Sequence, residues 1–434
     1  MKRRLARMIG RAAAAFALAA TAAVAWPLPG KARAETVEVR PDGLRAALDG
    51  VSPGDTIVLQ PGTYRGGFVV DTAGITLRGN DGSVLDGGGS GTVLRVDARG
   101  VTVIGLTVRG SGTDLQAEDS GIFVTEAGEG ARIISNRLEE NLMGVNLKGA
   151  RDALVKGNTI IGLREGHMSE RGNGVHVWNA PGSEVIDNDI RYGRDGIFVT
   201  TSLRNRFHGN RMRNLRYGVH YMYTNKSEVS ANVSAGNHAG YAIMYSKYID
   251  ARGNLSLRDR DHGLMLNFAN YSEIEDNAVL EGGRKCLFVY NSNFNTLRRN
   301  RLQGCGIGIH FTAGSQDNKV FENAFADNRT QVKYVGTTHH EWAENGRGNH
   351  WSDHAAFDLD GDGIADRAYR PNGLVDQVLW RHPQAKLLLN SPAVSLLQWA
   401  QSQFPALLPG GVVDPAPLMD PPRPSAMQLR DAAS

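Results

Sequence analysis

Four side chains with sulfur or imidazole donor atoms are spaced through the middle of the 434-residue chain: His220, Met222, Met244 and Met265. Thioether sulfur is a soft donor, and a set of thioether and imidazole ligands favours Cu(I) over Zn²⁺ or Mg²⁺. Such a set can act only if the fold brings the four residues together. The alternative interpretation is a face of methionine and aromatic residues that a loop or a partner protein covers, because methionine often fills gaps in apolar surfaces.

Five further residues are secondary candidates for the same chemistry: His167, Met168, His176, His262 and His310. His167 and Met168 belong to residues 163–173, a segment that is additional to the regular repeat described next. His262 follows the charged string Arg-Asp-Arg-Asp at 258–261, where a structural turn is the simpler interpretation.

A repeat of 22 or 23 residues has to position these side chains. Its first marker is a Gly followed by an aliphatic strand, at Gly121, Gly144, Gly174, Gly196, Gly218, Gly240, Gly263 and Gly308, with a variant at Cys286. Its second marker is an Asn followed two places on by an apolar residue, at Asn136, Asn158, Asn188, Asn210, Asn232, Asn254, Asn277, Asn300 and Asn323. Both series advance in step, with one gap of 30 residues, which indicates a solenoid.

Short Val, Ile and Leu strands, Gly and Asn turns and the absence of helical periodicity predict an all-β fold, a single right-handed parallel β-helix over residues 35–335. A leucine-rich repeat has a similar period, but its leucine framework and helical half are missing. We expect Asn136 to Asn323 to stack at one corner, because Asn tolerates left-handed turn geometry and hydrogen-bonds between coils. A short helix at residues 42–49 is expected to cap the N-terminal end.

The register assigns side chains to the two surfaces of each strand. The residue after Gly is aliphatic and points inward, so residues two and four places after Gly point outward. Because coils stack about 4.8 Å apart, His220, Met222, Met244 and Met265 are predicted to form one open outward patch three coils tall. The loop of residues 163–173 enters two coils earlier, and insertions of this kind often collect on a binding face.

An acidic loop lies beyond the repeat, in a capping region predicted for residues 336–372. Asp358, Asp360, Asp362 and Asp366 occupy positions 1, 3, 5 and 9 of a calcium-binding loop, with Gly363 at position 6. Position 12 is Tyr369 where the full pattern has Glu, and flanking helices are absent. Two interpretations remain open, a structural Ca²⁺ site and a turn held by its own hydrogen bonds. Residues 373–434 are predicted to form an extension with one short helix and a Pro-rich tail that is extended or disordered.

The N-terminus has the pattern of an export signal, with a basic start, an Ala-rich apolar stretch at 12–25 and a cleavage site near Ala34/Glu35. Without residues 1–34, 41 basic side chains remain against 45 acidic ones, a formal charge of −4. This balance excludes a nucleic-acid protein driven by phosphate neutralisation. Cys286 and Cys305 are the two cysteines, and a single disulfide between them is one possibility.

A polysaccharide lyase, epimerase or hydrolase acting on a uronate polymer is the competing class, since many such enzymes are β-helices. That chemistry needs paired carboxylates or a basic residue on one exposed sheet. Five acids are available, but this register does not stack them in one outward column: Asp195, Asp250, Asp259, Asp261 and Glu273. We therefore favour a protein without catalytic activity of its own.

Several strings resemble the NosD family of periplasmic proteins that serve the maturation of nitrous-oxide reductase, over about residues 35–422. They lie at 220–225, 259–263, 310–314, 330–336, 349–354, in the Asp358 loop, and at 390–393 and 404–412. The β-helix strings are shared with many carbohydrate-related proteins, whereas the C-terminal strings are more specific. The resemblance implies a periplasmic accessory of an ABC transporter, with its permease and ATPase subunits as partners. It also implies transient binding of Cu(I), received from a membrane-anchored chaperone for the reductase's copper–sulfur centre. It implies no catalytic residues.

Overall fold

Short strands separated by turns fill most of the chain in the computed structural model, which describes residues 34–388, 391–404 and 410–430. Within these ranges, the strands stack coil upon coil into three parallel sheets, and the prediction of a right-handed parallel β-helix is confirmed. From Glu35 onward the chain forms one compact unit. The predicted export signal lies outside the described residues, apart from Ala34.

Each regular coil contributes one strand to each of the three sheets, because two turns divide its 22 residues into three short extended segments. Sheet 1 contains Thr36–Val39, Thr56–Leu59, Thr76–Gly79, Thr102–Ile104, Arg132–Ile134, Leu154–Lys156, Glu184–Ile186, Arg206–His208, Ser227–Ser230, Ile249–Arg252, Glu273–Glu275, Thr296–Arg298 and Lys319–Phe321. Sheet 2 contains Gly62–Arg65, Ser83–Asp86, Thr107–Arg109, Arg137–Asn141, Thr159–Gly162, Asp189–Arg191, Arg211–Arg213, Val233–Ala235, Leu255–Leu257, Ala278–Leu280, Arg301–Gln303, Ala324–Ala326 and His350–Trp351. Sheet 3 contains Phe68–Val70, Leu94–Val96, Ser120–Val124, Met143–Lys148, Val175–Trp178, Asp195–Thr200, Tyr217–Met222, Ala239–Met244, His262–Asn267, Lys285–Tyr290, Ile307–Thr312 and Val332–Val335.

The predicted Asn column is a continuous hydrogen-bonded ladder inside the β-helix. From Asn136 to Asn323, each side-chain Nδ2 donates to Oδ1 of the Asn one coil further on, over 2.9–3.1 Å. The same Oδ1 also accepts a backbone N–H, so the ladder satisfies amide groups that burial would otherwise leave unpaired. One further rung follows at Asn349, where the buried carboxylate of Asp414 accepts the next backbone N–H and ends the column.

Both ends of the β-helix are covered. Helix α1 (Leu44–Gly50) buries Leu44 and Leu48 at the N-terminal end, close to the predicted position. At the other end, the rings of Phe325 and Trp351 stack 4.3 Å apart. The strand His339–Glu341 pairs there with Gly411–Val413 in a parallel two-stranded sheet.

The C-terminal tail, predicted to be extended or disordered, packs onto the β-helix where the structure describes it. Residues 410–430 are extended for much of their length, but Val412, Leu418 and Ala426 are buried. The physical reason is twofold. Asp414 and the neighbouring apolar residues complete the open end of the solenoid, which otherwise exposes unpaired strand edges. Ala426 instead covers an apolar part of sheet 2 formed by side chains such as Leu255 and Leu280. The predicted tail residues 405–409 and 431–434 lie outside the described residues.

The remaining helices are short. Helices α2 (Leu374–Arg381) and α3 (Pro392–Gln403) follow the acidic loop, and 3₁₀ turns occur at Glu126–Gly128, Pro383–Leu388 and Ser425–Leu429. Helix α3 begins as predicted, with Pro at its first turn and the Ser391 hydroxyl accepting the Val394 N–H. No helix in the described ranges has the length and apolar content needed to span a membrane.

The two cysteines form a disulfide, which settles the pairing that the sequence left open. Cys286 begins the buried part of its sheet 3 strand, and Cys305 lies in the turn before the next strand of that sheet. Their Cα atoms are 5.6 Å apart. The bond therefore links neighbouring coils and removes both thiols from metal chemistry.

Candidate metal centre

The outward face of sheet 3 places the four primary candidates on three neighbouring coils. Met222 lies directly opposite Met244 in the strand register, whereas His220 and Met265 lie opposite Ala242 from its two sides. Adjacent strands of a sheet are about 4.8 Å apart, so the four side chains share one region, which we call the His/Met patch. The small side chain of Ala242 leaves space between the His220 imidazole and the Met265 thioether.

One ring nitrogen of His220 is hydrogen-bonded and the other has no partner among the described residues. Its Nδ1 lies 3.1 Å from Oδ2 of Asp195, a buried carboxylate that Arg216 also contacts at 2.6 Å. Its Nε2 is buried and has no hydrogen-bond partner among the described residues. A carboxylate on Nδ1 fixes the tautomer and leaves the Nε2 lone pair for a metal, which is the arrangement that metal-binding histidines usually have.

The surroundings of Asp195 keep it ionised. Burial favours its neutral form, but hydrogen bonds from His220 and Arg216 outweigh burial and lower the pKa of Asp195. The His220 ring is held by Phe198 and Tyr217, with ring centroids 4.8 and 5.0 Å away. The imidazole is thus fixed in orientation by packing on its faces and by a charge on one edge.

The patch is less open than the sequence predicts. His220 and Met265 retain only 7% and 9% exposure, and Ala242 is fully buried, whereas Met222 and Met244 are partly exposed. His220 and Met265 lie on the outward face as predicted, but the prediction that the site is open is wrong for these two residues. Aromatic and methionine side chains 4.8 Å apart cover the sheet surface between them, so an outward direction does not by itself give exposure.

Four of the secondary candidates lie apart from this patch. His176 lies two coils before His220 in the same column, and both of its ring nitrogens are buried without partners. Burial lowers the pKa of His176 to about 4.

The other three of these four candidates also lie outside the patch. His167 is exposed in the insertion loop, where its Nδ1 contacts the Ser169 hydroxyl at 2.9 Å, and Met168 is partly exposed beside it. His310 lines a separate cavity.

His262 begins a strand of the patch but uses both ring nitrogens. Its Nδ1 lies 2.8 Å from Asp261 and its Nε2 lies 3.3 Å from the Lys285 ammonium. Burial is the main cause that lowers the pKa of His262 to about 4, so the ring is neutral and accepts from Lys285. These contacts support the structural interpretation of this residue.

The acidic loop brings three of its four carboxylates together. Asp358, Asp360 and Asp362 each offer an oxygen within 4.8 Å of the others, the sole such group of three His, Cys, Asp or Glu residues in the described chain. Asp366 instead accepts the Leu359 N–H at 2.7 Å, and the Tyr369 hydroxyl donates to Asp353. The loop thus holds fewer ligands than a full calcium loop.

Backbone amides already stabilise this loop. Asp358 accepts the N–H groups of Gly363 and Gly361, and the first of these is the main cause that lowers the pKa of Asp358. Asp360 accepts from the Asp362 amide, but the neighbouring Asp358 and Asp362 carboxylates raise the pKa of Asp360 overall. Such mutual repulsion is what a cation relieves, while the amide bonds also satisfy the alternative of a plain turn.

The five acids considered for sugar chemistry are dispersed over the β-helix, apart from one stacked pair. Asp259 is fully buried between Ser234 and Ser256, and burial raises its pKa to about 6. Asp250 and Glu273 lie opposite each other on sheet 1, a pairing that the sequence analysis did not identify, but the five acids do not form one column. Asp250 is bound by Arg252 at 2.6 Å, which ties up its charge.

Sequence reasoning missed two partners of the patch. It grouped Asp195 with possible catalytic acids, although Asp195 comes one residue before the repeat Gly, a position that the register brings beside the next coil's His220. It also overlooked Asn267, which lies opposite Met244 and has a buried Oδ1 without a partner. The spacing from each repeat Gly was the signal that identifies both.

Comparison with known proteins places the chain in a family. A family model described as NosD, periplasmic copper-binding protein, matches residues 162–356. Proteins named probable ABC transporter binding protein NosD are 41% identical in Stutzerimonas stutzeri, over 83% of this chain and 86% of that protein, and 41% identical in Pseudomonas aeruginosa, over 89% and 92%. The solved PL6 family alginate lyase AlyGC has a TM-score of 0.54 at 15% identity, covering 75% of this chain and 54% of that one, which shows a shared fold alone. The protein is a member of the NosD family.

Proposed function

We propose that this protein is a periplasmic accessory of an ABC transporter that receives Cu(I) and passes it on for the copper–sulfur centre of nitrous-oxide reductase. The observation that carries the proposal is the buried, unpartnered Nε2 of His220, a ring oriented by Asp195 on the strand that also carries Met222, with Met244 opposite Met222 on the next coil. The description of the matching family and the names of the relatives support a copper-binding role beside a transporter.

Transfer requires a site that binds without holding too firmly. The patch offers thioether and imidazole donors, which suit Cu(I), and it offers no thiolate because Cys286 and Cys305 are bonded to each other. His220 and Met265 form the buried side of the site, whereas Met222 and Met244 form its accessible side. An incoming ligand from a partner would therefore meet the methionine sulfurs first.

Exposed aromatic rings beside the methionines suit a protein partner. Tyr223, Tyr245 and Phe268 follow the outward positions of the three coils, and successive rings stack 5.1 Å apart. All three have positive φ angles and are at least 39% exposed. Because stacking covers the ring faces, mainly edges and hydroxyls are accessible, which favours a protein surface over a sugar that packs on a ring face.

The partners follow from this role. We propose that a membrane-anchored chaperone delivers Cu(I), that the permease and ATPase subunits of the transporter hold the protein at the membrane, and that nitrous-oxide reductase is the final recipient. The mature chain would begin near Glu35 after export to the periplasm. Nucleic acid is not among the proposed partners.

Copper binding tests the proposal directly. Mature protein with its disulfide intact should bind Cu(I) under anaerobic conditions in competition with a Cu(I) chelator. The double variant Met222→Ala/Met244→Ala should bind at least about tenfold more weakly, because two soft donors are lost. Its unfolding free energy should fall by about 1 kcal/mol or less, since both side chains are partly exposed.

A matched control separates this patch from the insertion loop. Met168→Ala also removes a partly exposed thioether, but outside the patch, and it should bind Cu(I) like the wild type. In cells, the double variant should leave nitrous-oxide reductase exported but without its active-site cluster. Unchanged copper affinity in the double variant, together with weaker binding by Met168→Ala, would move the site to His167, Met168 and His176.

The acidic loop is proposed to hold a structural Ca²⁺. If Asp358, Asp360 and Asp362 bind the ion, a calcium chelator should lower the melting temperature by a few degrees, because a ligand that binds only the folded state stabilises it. Asp360→Ala should remove this sensitivity. Identical melting curves with and without chelator would favour the turn held by its own hydrogen bonds, and would leave copper binding unaffected.

A uronate-acting enzyme remains the competing proposal, and the acids argue against it. Asp259 is sealed between two serines, and Asp261 is shared by His262 and Arg284. The stacked acids Asp250 and Glu273 both have pKa values raised chiefly by burial, but Arg252 binds the first. Purified protein is therefore expected to produce no unsaturated or epimerised product from alginate, and product formation that is lost in Asp250→Asn would support the enzyme.

A further inference from the structure

A second site on sheet 3 lies beyond the His/Met patch. A cavity of about 720 Å³ spans three neighbouring coils, those of Lys285, Ile307 and Lys333. Its wall includes Gly283, Gly304 and Gly306, which carry no side chains to fill the space. The Cys286–Cys305 disulfide joins the first two of these coils at this wall.

The side chains around the cavity carry one sign of charge. Arg284, Lys285, Arg329 and Lys333 line it, and no Asp or Glu is among its described lining residues. Asp261, outside the lining, forms an ion pair with Arg284 at 3.2 Å. Lys285, Arg329 and Lys333 have no ion-pair partner in the described parts of the chain.

The local electrostatics show that Asp261 compensates this charge only in part. Burial lowers the pKa of Lys285, and the nearby Arg284 and Lys333 lower it further, although Asp261 acts in the opposite sense. Burial followed by repulsion from Lys285 and Lys333 lowers the pKa of His310 to about 4. His310 is thus neutral, and its buried Nδ1 has no hydrogen-bond partner among the described residues.

We propose that this cavity binds a small oxyanion with two or more negative charges, such as phosphate or a di- or tricarboxylate. The side chains rather than the backbone would hold it, because the N–H groups of Gly304, Cys305 and Gly306 already donate within the fold. Lysine and arginine provide charge-assisted hydrogen bonds to oxyanions, and a cavity of this volume suits a small molecule. The cavity is distinct from the copper patch, since none of the four patch residues lines it and its nearest strand, Lys285–Tyr290, lies one coil beyond the strand of Met265.

Calorimetric titration of the full mature protein tests this inference. Inorganic phosphate and citrate serve as probes at constant ionic strength, and concentrations stay in the low millimolar range, below those at which such anions stabilise proteins nonspecifically. Saturable binding of at least one probe is expected, and acetate should bind far more weakly. Binding of both probes would indicate a general oxyanion site, whereas phosphate or citrate alone would identify the preferred chemistry.

Variants locate the binding. Lys285→Gln combined with Lys333→Gln should weaken it by at least about tenfold, because two charged donors are removed. Arg329→Gln, at an exposed position, provides a second variant that should weaken binding without disturbing the fold. Lys226→Gln is the matched control, because it lines a cavity of about 450 Å³ that also contains Glu228 and Asp250.

Two outcomes would overturn the inference. One is the absence of saturable binding of phosphate and citrate by the wild type. The other is binding that persists unchanged in both Arg329→Gln and the double lysine variant, or that Lys226→Gln weakens equally. Circular dichroism of each variant confirms that the comparison concerns folded protein. Copper affinity of the double lysine variant should equal that of the wild type.

Discussion

Replacing Asn254 by Ala should lower the free energy of unfolding by about 3–5 kcal/mol, the largest stability effect that the fold predicts for a polar residue. The Asn254 Oδ1 accepts both the backbone and side-chain amides of Asn232, and its Nδ2 donates to Val229 and Asn277. All of these groups are buried, so alanine leaves donors and acceptors without partners and without water.

Urea unfolding followed by circular dichroism measures this loss, and Asn225→Ala is its matched control. Asn225 also bonds to the next coil, but its Oδ1 accepts only the Lys247 N–H, at an exposed position. The control should lose less than about 1 kcal/mol, because water replaces the missing acceptor. Equal losses in the two variants would show that the internal ladder contributes no more than an exposed hydrogen bond.

Replacing Asp195 by Asn should weaken Cu(I) binding by about 10- to 100-fold, the range usual for loss of the group that orients a metal-binding histidine. An Asn side chain can donate to Nδ1 of His220, which would place the imidazole proton on Nε2 and remove the lone pair that is proposed to bind Cu(I). Nitrogen chemical shifts of the His220 ring report this tautomer directly, alongside a chelator competition for Cu(I).

Asp261→Asn is the matched control for that experiment. Asp261 likewise contacts a histidine Nδ1, that of His262, at 2.8 Å, but His262 is not a ligand in the proposed site. Its substitution should leave copper affinity within about twofold of the wild type. Wild-type affinity in folded Asp195→Asn would contradict the role of His220 as a ligand.

The period of the sequence predicted most of the fold because each coil repeats the same requirement. An apolar residue after Gly must be buried and an Asn must bond to the coil above, so spacing alone identifies the strands and the ladder. The same spacing placed Met222 opposite Met244. These features depend only on backbone register, which the repeat determines.

The other features of the fold and of the candidate site depend on side-chain contacts, which cannot be predicted from the strand register. Spacing could not show that Phe198 and Tyr217 would pack on His220, or that the outward face would therefore be largely buried. Nor could it show that the chain returns at Asp414 to complete the end of the solenoid, because that contact joins segments 65 residues apart. Charge accumulation around Lys285 was also hidden, since Arg284 and Lys285 belong to one coil and Arg329 and Lys333 to the coil two further on.

The coil register also restricts the distance between two sites on sheet 3. This distance can change only by whole coils, each of which adds about 4.8 Å. Insertion of one coil between Met265 and Gly283, the first residue that lines the cavity, would shift the oxyanion cavity relative to the copper ligands by one such step, with every inward side chain and ladder Asn still in place. The same event between Met222 and Met244 would split the copper ligands. The gain of a whole coil can therefore change the distance between two sites, whereas a coil gained inside either site would separate the residues that form it.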